Sequence, residues 1–363
     1  MCGLRLMRLA VMVAASGLVP TMSWAGPLNP LDFTSLGSLS ITTPGTYIVS
    51  GNTLFVGSTT YSGVYNNGTV VFDFNSINIG AGVTITGIPV SSSSPFAFLS
   101  RTSATIAGTI DVSAIGRASQ AGPGASNLAN GGNGTSIRPS PGSPMTFYSG
   151  GGGGGFGGAG GQGQGFSFQL PDGSRISAPG GAGGQAYANL DAVLQGGSAG
   201  GQSSFFPGTG GGGGGAVEIV AVDSLSISGA VNANGFSGGA PGAGGGSGGG
   251  ILLDANSVTV TGTLSATGGS GGPASPTGSI TFGSGGGGGG GEILVESAAG
   301  AAGISFLPGS RISVAGGFGG QPGGSGILIP VPEPSSLILL GTSTVGLLGA
   351  SALRRRRRLP GRR

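Results

Sequence analysis

The stretch that decides the fold is Ser257–Gly269, "SVTVTGTLSATGG". Apolar and small polar residues alternate, and a glycine breaks the run in the middle. A period of two sends Val258, Val260 and Leu264 to one side of an extended chain and the threonines to the other. The same phrase recurs as "SINIGAGVTITG" (76–87), "SATIAGTIDVSAIG" (103–116), "SLSISGAVNANG" (224–235) and "SRISVAGGFGG" (310–320). Each copy reads as two short half-buried strands joined at a tight corner. Helical periodicity is absent outside the two ends of the chain.

A second rhythm runs alongside. Glycine blocks end at Gly215, Gly250, Gly291 and Gly326, which lie 35, 41 and 35 residues apart. Each block leads into an apolar run: "AVEIV", "ILLD", "EILV", "ILIP". Repeats of this length belong to architectures that bury their core only by stacking neighbours. The expected fold is therefore all-β, a right-handed parallel β-helix or solenoid with glycine-rich loops over residues 99–330. Residues 26–98 have fewer glycines and more aromatics, and form an N-terminal β region suited to capping the stack. Strand alternation alone also accommodates a β-sandwich, and the glycine content also accommodates a largely disordered body.

The 363 residues include 87 glycines and 22 prolines, yet charged residues are only 7%. Disordered chains combine low hydrophobicity with high charge, and this chain does not. The formal charge of +3 is set by the ends: residues 26–330 carry five Arg, no Lys and ten Asp or Glu, a net −5. A mildly acidic body gives no footing for nucleic acid. There is no His in the chain, and the single cysteine is Cys2. These absences exclude a Ser-His-Asp triad, a Ser-Lys pair within the body, and His or Cys metal sites. No catalytic residue, no cofactor and no metal site is expected.

Several weaker signals remain. Glu218 and Glu292 each follow a glycine block and are placed to stack two repeats apart. Asp223 and Asp254 form a second carboxylate pair. Either pair is a candidate for polysaccharide cleavage, against the plainer reading of charges that keep a solvated strand edge from aggregating. The glycine blocks lack the aspartate of calcium-binding nonapeptide repeats. Thr259, Thr261 and Thr263 alternate as an ice-binding ladder would, but the neighbouring copies carry Ser226, Ser228 and Ala230 instead. Phe156, Phe166, Phe168, Phe205 and Phe206 stand among glycines, either as sugar-stacking platforms or as plugs that pack loops. The glycine runs read either as tethers or as tightly packed corners or glycine-helix bundles in which the missing side chains let backbones approach, and their regular placement before strands favours the ordered reading.

The two ends are targeting segments. Residues 1–25, "MCGLRLMRLAVMVAASGLVPTMSWA", hold Arg5 and Arg8, an apolar stretch and small residues before the expected signal-peptidase cut between Ala25 and Gly26. At the other end, Val331-Pro332-Glu333-Pro334-Ser335-Ser336 precedes 17 uncharged residues (337–353) and then Arg354, Arg355, Arg356, Arg357 and Arg358 within a basic tail (354–363). An apolar stretch near the length of a membrane span, closed by arginines that stay cytoplasmic, predicts a transmembrane helix with the body outside.

This tail resembles the PEP-CTERM sorting signal, in motif, order and position. The resemblance covers residues 331–363. It implies that an exosortase, a membrane-embedded transpeptidase-like protease, cuts near the Pro-Glu-Pro. It further implies a Gram-negative bacterium that makes exopolysaccharide, an inner-membrane-anchored precursor, and delivery to the cell surface or extracellular matrix. Tails of this kind also carry the label of an ice-binding protein C-terminal domain. The expected function is an exosortase-processed structural protein associated with exopolysaccharide, biofilm or copies of itself. A polysaccharide-active or polysaccharide-binding β-helix protein and an ice-binding protein are the alternatives. Membrane contact is expected only through the C-terminal helix before processing.

Overall fold

The computed structural model of the chain describes residues 27–88, 94–140, 142–205 and 210–332. The signal segment to Gly26, Glu333, Pro334, the apolar stretch 337–353 and Arg354–Arg358 lie outside the described residues. Among the described residues no helix is long and apolar enough to cross a membrane. The body is all-β, with short 3-10 turns at Pro30–Asp32, Ala118–Gln120 and Gly300–Gly303.

The repeated phrases lie side by side in three columns of parallel strands. The first column runs Thr69–Phe74, Phe96–Ser100, 216–221, 250–255, Glu292–Ser297 and Ile327–Pro332. The second runs Ser38–Ile41, Ser76–Ile79, Ser103–Ile106, 224–227, 257–260 and Ile304–Phe306. The third runs Gly45–Ser50, Val83–Gly87, Thr109–Asp111, Ala230–Asn232, Thr263–Ser265 and Arg311–Ser313. The long strands Ala216–Ile227 and Gly250–Val260 join the first two columns into one sheet, with a register shift between Ala221 and Ser224. At the N-terminal end the antiparallel strands Thr53–Val56 and Thr59–Ser62 continue the third column, and Val64–Asn66 pairs beside the first.

Register puts like on like. Ile79, Ile106, Ile227 and Val260 share one level, and Ile85, Ile110, Val231 and Leu264 share another. All are fully buried and belong to one apolar core enclosed by the three columns. Full burial of each such side chain contributes about 1.5–3 kcal/mol relative to exposure. The aromatic residues Phe72, Phe74, Phe96 and Phe98 fill the N-terminal part of the core; Phe72 and Phe98 stack at 5.6 Å and Tyr61 meets Phe74 edge-on at 5.3 Å.

The glycine blocks are not tethers; they pack against one another as the ordered reading expected, in the manner of a glycine-helix bundle. They run extended beside the columns and bond to one another chiefly through backbone, with the Ser247 hydroxyl also donating to the Gly155 carbonyl at 3.2 Å. In Gly150–Gly155 successive N–H groups point in three directions. Gly151 and Gly154 donate to the carbonyls of Gly242 and Gly245 (2.7 and 2.9 Å); Gly152 and Gly155 donate to Gly132 and Ala129 (2.9 and 3.0 Å); Gly150 and Gly153 donate to Gln164 and Gly161 (2.9 and 2.8 Å). A repeat of three residues per turn with no internal hydrogen bonds is polyproline-II geometry, which frees every N–H for a neighbour. Gly285–Gly291 behaves alike: Gly286 and Gly289 donate to Gly151 and Gly154, Gly287 and Gly290 to Gln321 and Gly324, Gly285 and Gly288 to Gly272 and Gly269. Backbones packed this closely leave no room for a side chain. A Cβ on Gly152 falls 1.9 Å from the carbonyl oxygen of Ala182, and on Gly153 1.9 Å from that of Gly287.

Candidate functional site

The candidate carboxylates lie on the outer face of the first column. Val217, Ile219, Ile251, Leu253, Ile293 and Val295 face the core, so Glu218, Leu252, Asp254, Glu292, Leu294 and Glu296 face outward. Two segments cover this face. One is the start of the described chain, with Leu28 and Phe33 against Val71, Leu99 and Val220. The other is 187–194, with Tyr187, Leu190 and Leu194 against Phe156, Leu252 and Leu294.

Each buried glutamate holds one of these covers in place. Glu218 accepts the Leu28 N–H at 2.6 Å, and Glu292 accepts the Leu190 N–H at 2.9 Å. Both side chains are 3% exposed, so neither is the solvated edge charge that the sequence suggested. Burial pushes the Glu218 carboxyl up to about 7; the Leu28 amide opposes this, and the charges of Asp254 and Glu296 add to it. Burial also raises Glu292, against the Leu190 amide, with a further contribution from Asp191. Between the two covers lies a cavity of about 470 Å³ lined by Leu28, Asn66, Leu190, Val193, Glu218 and Leu252.

The two glutamates do not meet across one site. Glu218 is level with Leu252, and Leu252 with Leu294, so Glu292 is two strands away and two residues out of level. Strand spacing and rise put their backbones roughly 12 Å apart. A glycosidase pair works at about 5–9.5 Å. Asp223 is exposed at the register shift, while Asp254 is level with Val220 and Glu296, so that pair is not assembled either. Among the described residues no group of three His, Cys, Asp or Glu could hold a metal ion.

The other weak signals are placed as follows. Phe156 is fully buried and meets Tyr187 edge-on at 5.2 Å, so it is a plug. Phe166 and Phe168 pack on Phe147 at 5.2 and 4.4 Å. Phe205 packs on Tyr148 and Phe282, at 5.1 and 5.5 Å; Phe206 lies outside the described residues. The outward level of the third column reads Thr46, Thr84, Thr109, Ala230, Thr263, Arg311, a threonine row broken twice. Sequence reasoning missed the ion pair of Arg101 with the buried Asp73 (3.0 Å), whose guanidinium also donates to the Phe33 carbonyl. Burial raises the Asp73 carboxyl, and Arg101 opposes it.

The last described strand, Ile327–Pro332, closes the first column and runs into the sorting segment. Val331 is level with Glu296 and Pro332 with Ser297. Residues 330–358 match the PEP-CTERM protein-sorting motif.

The motif thus begins inside the body's last strand rather than on a linker. A PEP-CTERM motif implies an exported protein, anchored in the membrane before an exosortase processes it. No curated protein and no solved structure shows significant similarity to the chain.

Proposed function

We propose that the chain is a non-enzymatic structural protein of the cell surface or extracellular matrix of a Gram-negative bacterium. Signal peptidase releases Gly26 as the first residue. Residues 337–353 hold the precursor in the inner membrane, with Arg354–Arg358 on the cytoplasmic side. An exosortase then frees the body, a right-handed parallel β-solenoid, to associate with exopolysaccharide or with copies of itself. The observation that carries this reading is the PEP-CTERM match at 330–358. The wide separation of Glu218 and Glu292 supports a role without catalysis. Fractionating cells with and without the exosortase tests it. With the enzyme, the body appears in the surface or matrix fraction without its arginine tail. Without it, the full-mass chain stays in the inner membrane. A body released equally in both strains would overturn the reading.

Polysaccharide binding is favoured by one further feature. A cleft of about 610 Å³ is lined by Gln162, Gln164, Gln321, Ser284 and surrounding glycines, with no charged group. Gln164 spends its amide oxygen on Ser284 (3.0 and 3.1 Å). Neutral amides over a glycine floor suit a neutral, hydroxyl-rich chain. Retention of the purified body on neutral but not acidic polysaccharide, lost in Gln164→Ala and Gln321→Ala, is the expected result. Unchanged retention in both variants would remove the cleft from the account.

A further inference from the structure

The cavity of about 470 Å³ between the two covers has a buried base and an exposed rim. Glu218, Leu190 and Leu252 in its lining are 3%, 1% and 3% exposed. Asn67 and Val193, also in the lining, are exposed to solvent. Leu28, Pro95 and Leu194 complete the apolar wall. A volume of this size falls in the range of small-molecule sites, about 300–1,000 Å³, which combine an apolar lining with a few placed polar groups. The polar side chains here are Glu218, Thr69, Asn66 and Asn67, and Glu218 is the ionisable one. Its Oε1 accepts the Leu28 N–H at 2.6 Å, while among the described residues nothing donates to its Oε2. A buried carboxylate oxygen without a donor is costly, and the cavity is the side from which a donor can reach it.

The surrounding charge selects the kind of donor. Asp254 and Glu296, on the neighbouring strands, add negative charge at Glu218. The remaining acids on the elements packed around it are Asp223 on its own strand, Asp73 and Glu292 in the first column, and Asp32 and Asp191 on the covers; Tyr65 and Tyr187 are the phenols. The base among these elements, Arg101, is held by Asp73 at 3.0 Å and by the Phe33 carbonyl. We infer that this cavity binds a small organic ammonium, a primary amine on an apolar chain, whose N–H donates to Glu218 Oε2 while the chain lies on Leu28, Leu190, Val193 and Leu252. An alcohol brings the donor without the charge, and a carboxylate meets like charge. The site is separate from the glutamine-lined cleft and does not depend on the sorting tail. Burial sets the free Glu218 carboxyl at about 7, and the ammonium, like that of lysine, stays charged up to about pH 10. A cation prefers the ionised carboxylate, so affinity is full above pH 7 and falls as pH drops below it, by about tenfold per unit.

The probe is hexylamine, titrated by calorimetry into the exported protein as purified from its host, with hexanol and hexanoate as comparators. At about pH 8 the amine is expected to bind about tenfold or more tightly than hexanol, with hexanoate weakest, and to lose about tenfold in affinity at about pH 6. Glu218→Gln keeps an acceptor for the Leu28 N–H and removes the charge. It should weaken the amine by about tenfold or more, abolish the pH dependence and leave hexanol binding as in the wild type. Val193→Trp fills the cavity from an exposed position and leaves the carboxylate in place; it should block the amine and hexanol together. The wild-type comparison of the three probes, and of the amine at the two pH values, stands even if a variant fails to fold. Equal affinity for amine and alcohol, a preference for hexanoate, or amine binding unchanged by pH overturns the inference. So does amine binding unchanged in either folded variant, or no binding of any probe.

Discussion

Replacing Glu218 by glutamine isolates the effect of burying a charge beneath the N-terminal cover. The side chain sits on the outer face of the first column, 3% exposed, and accepts the Leu28 N–H. Burial is the largest influence on it and carries its carboxyl from the usual 4.5 to about 7. The folded state therefore holds a proton over a pH range in which the unfolded state has lost it. Stability is greatest below pH 4.5 and falls as pH rises toward 7, then levels off. At about 1.4 kcal/mol per pH unit, the shift corresponds to roughly 3 kcal/mol lost over that range. Glutamine keeps the acceptor for Leu28 and removes the charge. Urea unfolding of the mature protein at half-unit steps from about pH 4.5 to 8.5 should show the wild type losing stability through this window. Glu218→Gln should flatten most of the slope and be more stable than wild type at about pH 8, by about 3 kcal/mol. A residual slope of the same sign is expected from Glu292 and Asp73, whose carboxyls burial also raises. A wild type whose stability is flat or rising over roughly pH 5–7, or a variant weaker than wild type at about pH 8, would refute the reasoning.

Three further expectations concern other parts of the body. Gly153→Ala sets a methyl 1.9 Å from a backbone carbonyl and should destabilise by about 1–3 kcal/mol or more, whereas Gly324→Ala, whose nearest neighbour is at 3.4 Å, should be tolerated; thermal melts of the two compare them directly. Arg101→Ala strands the buried Asp73 and should cost about 3 kcal/mol at about pH 7, with the loss shrinking in acid as Asp73 protonates; equal losses in acid and at neutral pH would contradict the pair's role. N-terminal sequencing of exported protein should begin at Gly26, and a retained leader would contradict the proposed cut.

Much of the strand content was legible because its signal is local. Val258, Val260 and Leu264 alternate with polar residues, and they face the core as the period requires. The alternation fixed the class as all-β. The carboxylates are not legible, for the opposite reason. Glu218 and Glu292 look like edge charges in sequence, but their hydrogen-bond partners lie 190 and 102 residues away, and no spacing rule reaches that far. The glycine blocks were ambiguous because a run of glycine has the same composition whether mobile or packed. What distinguishes the two is the backbone of other segments at Gly242, Gly132 and Gly161, each offering a carbonyl to a different face. The tail was read from its order of motif, apolar stretch and arginines. The docking of Val331 and Pro332 on Glu296 and Ser297 depends on a strand from a different repeat.

Centrally, the glycine backbone is hydrogen-bonded and closely packed, as the strands are. Amide hydrogen exchange read by mass spectrometry on the mature protein addresses this most directly. Peptides covering Gly150–Gly155 and Gly285–Gly291 are predicted to stay protected as long as those covering Ala216–Ile227 and Gly250–Val260, since their N–H groups are bonded in three directions at 2.7–3.0 Å. Exchange of the glycine peptides at the rate of an open chain, with the strands still protected, would contradict it.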